Sequence, residues 1–116
     1  RFAALCLRAA LEGGVIVGNS SAGLIECSAL RPALPCVNIG PRQAGRERPA
    51  SVVDVERGAP GAVREAVAAA RSIDRWAVRH PYGDGRAGER IAAVLADTAL
   101  ARGSDRAAFV RKHNTF

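Results

Sequence analysis

Val15, Ile16 and Val17 stand in unbroken succession and run straight into Gly18, Asn19, Ser20 and Ser21. A short β-branched run bounded by turn residues marks a strand buried on both faces, as in a parallel sheet, because a solvated face would show alternating polar residues. Helix formers follow over residues 22–30. Pro32 and Pro35 must end that helix, since proline has no amide hydrogen to donate, and Cys36, Val37, Asn38 and Ile39 read as a second short strand. Strand, polar turn, helix and strand make a βαβ unit. The expected fold is therefore α/β, a Rossmann-like parallel sheet flanked by helices.

The flanking segments fit that scheme. Leu5, Leu7, Leu11 and their alanine neighbours form a helical stripe stopped by Gly13 and Gly14, which tolerate left-handed backbone. Residues 40–50 are rich in Gly, Pro and Arg and read as a loop, and residues 51–55 as a third strand. Pro60 and Gly61 open an alanine-rich helix to Arg71, proline suiting the first helical turn. Residues 73–78 are ambiguous, with helix one option. Residues 81–85 form a tight polar turn, and Ile91, Val94 and Leu95 mark an amphipathic helix over residues 86–100 with one buried face.

A length of 116 residues allows about one domain. The chain opens at Arg1 inside a helical pattern and contains no Met, which reads as a piece of a longer polypeptide. No apolar run approaches the ~20 residues of a membrane span, and the start has no signal-peptide pattern, so a cytoplasmic protein without membrane contact is expected. Cys6, Cys27 and Cys36 are odd in number, sit in apolar segments and lack paired metal-ligand spacing. They read as reduced and structural, with neither metal nor cofactor implied. A net charge of +6 raises nucleic-acid binding as a question, but the arginines are scattered. Residues 102–112 hold a loose basic cluster without interleaved aromatics, so a solvated basic face is expected and nucleic acid is not. Residues 1–101 are read as one functional part and residues 102–116 as a basic tail.

The chemistry concentrates between Val15 and Glu26. A strand-to-helix junction presents unpaired N–H groups and the positive end of a helix dipole, and Ser20 and Ser21 add hydroxyls small enough to let a phosphate approach. An ordinary N-cap explains a serine there equally well. Glu26 lies six residues beyond Ser20, about 9 Å of rise on a straight helix, a fitting step from a diphosphate to a ribose, although a solvent-facing glutamate has the same spacing. Gly23 costs helix stability and implies close packing, against a ligand or a neighbouring strand. Arg42 and Gln43 follow the second strand, at the carboxyl edge where open α/β sheets bind ligands. Arg46 and Arg48 are near enough in sequence to help hold a nucleotide, although arginines in an exposed loop are ordinarily just solvated.

Three runs carry a resemblance: Val-Gly-Asn-Ser-Ser-Ala-Gly-Leu-Ile-Glu from Val17 to Glu26, Val-Asn-Ile-Gly-Pro-Arg-Gln-Ala-Gly-Arg from Val37 to Arg46, and Pro-Tyr-Gly-Asp-Gly from Pro81 to Gly85. In this order they resemble the UDP-N-acetylglucosamine 2-epimerase family, and the Asn-Ser-Ser and Arg-Gln forms are more like its hydrolysing branch. The resemblance implies the C-terminal part of a two-domain fold of the GT-B glycosyltransferase type, with UDP held here and the sugar in the cleft towards an N-terminal domain of the same chain. It implies that Ser20 and Ser21 contact the diphosphate, Glu26 the ribose and Arg42 the nucleotide, with Asn19, Gly23 and Gln43 shaping the pocket. It also implies a role in amino-sugar and sialic acid metabolism, a UDP-sugar substrate and assembly as a homo-oligomer. The proton-transferring residues would come from earlier in the polypeptide, leaving this piece inactive alone. Two other readings stay open: a GT-B glycosyltransferase domain, marked by acceptor-binding motifs elsewhere in the polypeptide, and a basic interaction module, marked by steeply salt-dependent polyanion binding.

Overall fold

The computed structural model describes residues 1–56 and 61–97. Its elements are α1 (Phe2–Leu11), β1 (Ile16–Gly18), α2 (Ser21–Leu24), α3 (Glu26–Ala29), β2 (Cys36–Ile39), a 3-10 turn at Pro41–Gln43, β3 (Val52–Val55), α4 (Ala62–Arg71) and α5 (Ala87–Asp97). The three strands pair in the order β1-β2-β3, all parallel, with Gly18 opposite Asn38 and Ile39 opposite Val55. Parallel pairing puts the carboxyl ends of all three strands on one edge, so the segments after β1 and β2 leave the sheet side by side. This is the Rossmann-like α/β arrangement that the residue pattern implies.

Two apolar clusters lie against the strands. Cys6, Ala10, Cys27 and Leu34 form one, joined by Ile16 and Leu30; Val37, Val55, Ala66 and Ala70 form the other, joined by Ile39, Val53 and Val67. Successive strand residues point to opposite faces. Val37 and Ile39 accordingly meet α4, whereas Cys36 turns towards α2, where a Cβ added at Gly23 would lie 3.2 Å from the Cys36 Cβ and closer still to its Sγ. Gly23 is therefore explained by the neighbouring strand. All three cysteines are free and buried.

Arg75 closes the end of α1. Its guanidinium donates to the carbonyls of Ala10 (3.2 Å), Gly13 (2.9 Å) and Gly14 (2.7 Å), groups that a helix terminus leaves without intrahelical partners. Gly13 takes φ +79°, the left-handed conformation expected for a helix stop.

Several expectations need correction. On α1 the buried residues are Cys6 and Ala10, one helical turn apart, while Leu5 and Leu11 are exposed. Burial on both faces describes β2, whose Cys36, Val37 and Asn38 are all covered, and not β1, whose Val17 is 46% exposed. Among the described residues β1 has a neighbour on one side only, and a strand at a sheet edge is covered less. The helix expected over residues 22–30 is two single turns separated at Ile25 (φ −95°, ψ −69°). The Ser28 hydroxyl donates back to the Leu24 carbonyl at 2.6 Å and lies 3.0 Å from that of Ile25, the kind of side-chain bond that competes with a helix's own amides. Residues 73–78 are turn and bend rather than helix, with Asp74 accepting from the N–H groups of Trp76 and Ala77.

The contacts divide the chain at Tyr82. In the unit that begins at Gly83, Asp84 accepts from the Arg86 N–H and from both terminal nitrogens of Arg90, and these bonds hold its carboxyl below the usual range. No described residue of α5 is buried, so the apolar stripe of Ile91, Val94 and Leu95 is exposed where one buried face was expected. Pro60, the basic tail at residues 102–116 and the boundary expected at 101/102 lie outside the described residues. No helix among the described residues is long and apolar enough to cross a membrane.

Candidate functional site

The segment after β1 begins with Asn19 and Ser20. Ser20 is extended (φ −82°, ψ 143°) and its Oγ accepts from the Ala22 N–H at 3.3 Å, while its carbonyl accepts from the Gly23 N–H at 3.2 Å. The ordinary capping role of Ser20 is thus present, and two N–H groups of the first turn are already engaged. A one-turn helix also has little macrodipole, because the dipole is a sum over aligned peptides. What α2 offers an anion is reduced to the N–H and hydroxyl of Ser21, neither of which has a hydrogen-bond partner among the described residues.

The segment after β2 turns back over this junction. Gly40 takes φ +74°, an angle a side chain would resist, and the chain coils through Pro41–Gln43. Gln43 is buried and its Nε2 donates to the Asn19 carbonyl at 2.8 Å; Arg42 donates to the same oxygen at 3.3 Å from an exposed guanidinium. Asn19, Arg42 and Gln43 are therefore brought together, with Ser20 adjacent. The Gln43 Oε1 is buried without a partner among the described residues.

Glu26 and Gly23 are placed differently. Glu26 opens α3 with its side chain exposed and no hydrogen bond or ion pair among the described residues. The expected 9 Å rise from Ser20 presupposed a straight helix, which the break at Ile25 removes. Gly23 faces Cys36 and not the open edge.

Further polar residues organise the site, and little in the residue pattern announces them. Arg48, expected to be merely solvated, donates to the Asp54 carboxylate at 3.0 Å and to the carbonyls of Gln43 (2.8 Å) and Arg46 (3.1 Å). The other Asp54 oxygen accepts from Asn38 at 2.6 Å, so a polar chain runs from β2 through β3 to the loop. Pairing in register explains it, since Asn38 stands opposite Asp54; the signal available beforehand was a polar residue at matching places in two otherwise apolar strands. Gly40, Pro41, Arg48, Asp54, Val55 and Glu56 line a cleft of about 680 Å³ at this edge. His80 has its Nδ1 2.9 Å from the Ser28 Oγ.

The cysteines are chemically quiet. Burial, with smaller contributions from Cys6 and other neighbours, pushes the Cys27 thiol up to about 12, and burial with the Asp54 charge pushes Cys36 to about 11. Neither is a thiolate at neutral pH, which fits a structural role.

A family model described as UDP-N-acetylglucosamine 2-epimerase matches residues 4–96. The Polysialic acid biosynthesis protein P7 of Escherichia coli is 58% identical over 40 residues, which are 34% of this chain and 10% of that protein. The UDP-N,N'-diacetylbacillosamine 2-epimerase (hydrolyzing) of Legionella pneumophila subsp. pneumophila is 36% identical over 81 residues, 70% of this chain and 21% of that protein. The matched stretch is thus a small part of each curated relative. No solved structure gives a significant match.

Proposed function

Because the chain belongs to the UDP-N-acetylglucosamine 2-epimerase family, we propose that it forms the UDP-gripping part of a hydrolysing 2-epimerase that converts UDP-N-acetylglucosamine to N-acetylmannosamine and UDP. The observation that carries the nucleotide part is the convergence of Arg42 and Gln43 on the Asn19 carbonyl, which draws a cation onto the turn holding Ser20 and Ser21. The hydrolysing outcome is supported by the activity in the name of the Legionella relative, and a place in sialic acid metabolism by the name of the Escherichia coli one.

In this reading UDP leaves by elimination across the first two sugar carbons, giving a 2-acetamidoglucal to which water then adds. The diphosphate gathers negative charge as the bond to carbon 1 breaks. Arg42 and the Ser21 N–H and hydroxyl stabilise it, a contribution that grows towards the transition state and so lowers the barrier. Ser20 shapes the turn and lines the same diphosphate. Glu26, exposed and unpaired among the described residues, accepts from the ribose hydroxyls. Asn19 and Gln43 hold the pocket's backbone, and Gly23 acts on it only by letting α2 lie close against β2. Removing and returning the proton at carbon 2 requires an acid and a base, which this reading assigns to a preceding domain of the same polypeptide.

The test is to follow UDP-N-acetylglucosamine by NMR with the full-length protein. Free N-acetylmannosamine and UDP are expected. UDP-N-acetylmannosamine would instead make the enzyme non-hydrolysing, and sugar transfer to an added acceptor without epimerisation would replace the reading by a glycosyltransferase.

A further inference from the structure

The segment that follows α4 crosses back to the site, and its His80 and Tyr82 side chains each hold a different part of it. His80 Nδ1 lies 2.9 Å from the Ser28 Oγ. Tyr82 donates its hydroxyl to the Glu47 carbonyl at 2.9 Å, and the two rings pack with centroids 5.6 Å apart. Ser28 belongs to α3, two residues beyond Glu26, while Glu47 stands between Arg46 and Arg48 in the loop that begins with Arg42.

Proton accounting gives the first contact a direction. A serine hydroxyl has one hydrogen, and the Leu24 carbonyl at 2.6 Å receives it. The Ser28 oxygen can then only accept from His80, which puts a proton on Nδ1. His80 thereby steadies the hydroxyl that bridges the break at Ile25, where the direction of the chain into Glu26 is set.

We propose that His80 and Tyr82 form a strap that fixes the separation between the Glu26-bearing turn and the arginine loop, making both positioning residues for a ligand that bridges the two. The inference rests on the nucleotide reading above for the identity of that ligand. A nucleoside diphosphate needs both sides at once: its ribose reaches Glu26 while its diphosphate reaches Arg42 and Ser21. A nucleoside alone or pyrophosphate alone needs only one side and is indifferent to the separation. The strap's signature is therefore an effect that depends on ligand length.

The experiment uses the full-length protein with His80→Phe, which keeps a ring and removes the donor, Tyr82→Phe, which removes only the hydroxyl, and His80→Asn, which keeps an N–H near the Nδ1 position. Affinities for UDP, uridine and pyrophosphate are measured by calorimetry, with thermal midpoints alongside. UDP binding is expected to weaken about five- to tenfold in both Phe variants, the factor a lost hydrogen bond carries. Uridine and pyrophosphate are expected to stay within about twofold, and His80→Asn to recover UDP binding. Equal weakening of all three ligands in step with a falling midpoint, or unchanged UDP affinity, overturns the proposal.

Amide hydrogen exchange without ligand separates this idea from the nucleotide reading. Faster exchange at residues 25–28 in His80→Phe and at residues 44–48 in Tyr82→Phe is expected, and unchanged exchange overturns the strap whatever binds. Wild-type protein that binds no UDP defeats the nucleotide reading, while the exchange result still decides whether the strap exists.

Discussion

The loop after β2 and the α2–α3 segment meet at the same carboxyl edge of the sheet, yet their polar side chains are engaged differently. In the loop, Gln43 and Arg42 hold the Asn19 carbonyl, and Arg48 joins two loop carbonyls to Asp54. Across from it, the Ser21 hydroxyl and Glu26 have no hydrogen bond among the described residues, and Glu26 is exposed. The loop is built before any ligand arrives; the opposite segment ties Ser20 and Ser28 internally and keeps Ser21 and Glu26 free to meet one. Binding energy is best conserved when part of a site is preorganised, and free donors or carboxylates are tolerated where water can satisfy them. The contrast separates substitutions that should cost stability from those that should cost only affinity.

The largest expected effect is on the built side. Arg48→Ala removes three hydrogen bonds and leaves the Asp54 carboxylate with one partner fewer. The side chain is partly exposed, so water offsets some of the loss, and about 2 kcal/mol of destabilisation is expected, readable as a drop of several degrees in the thermal midpoint. An unchanged midpoint would mean that the loop is held by something else. Gly23→Ala comes next, because its new Cβ would press on the Cys36 Sγ; overpacking of this kind costs about 1–3 kcal/mol. Adding Cys36→Ala should restore most of that in a urea titration, and failure to do so would remove the glycine from the strand-contact explanation.

On the free side, Ser21→Ala and Glu26→Ala should leave stability within about 0.5 kcal/mol of the parent while weakening UDP binding about tenfold. A large stability loss for either would erase the contrast. The smallest effect concerns pH. Cys27 and Cys36 ionise in the folded chain only at about 12 and about 11, above their ordinary value of 9.0. The unfolded chain releases these protons first, so their contribution to stability is full below about pH 9 and is lost as pH rises towards 11 and 12. The urea midpoint should show no thiol-linked change from pH 7 to 8.5 and fall above 9, less steeply in Cys36→Ala; an equal decline in that variant would assign it to other groups.

Much of this edge was legible because it is local. The pattern places β2 at its observed residues, and β1 and β3 to within one residue, since short, largely apolar runs between turn residues have few other uses. Gly23 announced a close approach before its neighbour was known. What stayed hidden depends on partners distant in sequence. The break at Ile25 turns on a hydroxyl that bonds back along the chain and a histidine 52 residues away. Arg48 looked like any loop arginine until strand register put Asn38 and Asp54 side by side beneath it. The stripe on α1 misled for a related reason: the helix packs through the small Cys6 and Ala10, so close approach outweighed side-chain size.

The central claim is that this edge holds UDP, with the free carboxylate of Glu26 as a principal contact. Its most direct test is calorimetric titration of the full-length protein with UDP and, as a control, CMP, before and after Glu26→Ala. The account predicts selective binding of UDP that weakens about tenfold in the variant while the thermal midpoint stays put. Equal binding of the two nucleotides, or UDP affinity untouched by the loss of Glu26, would contradict it.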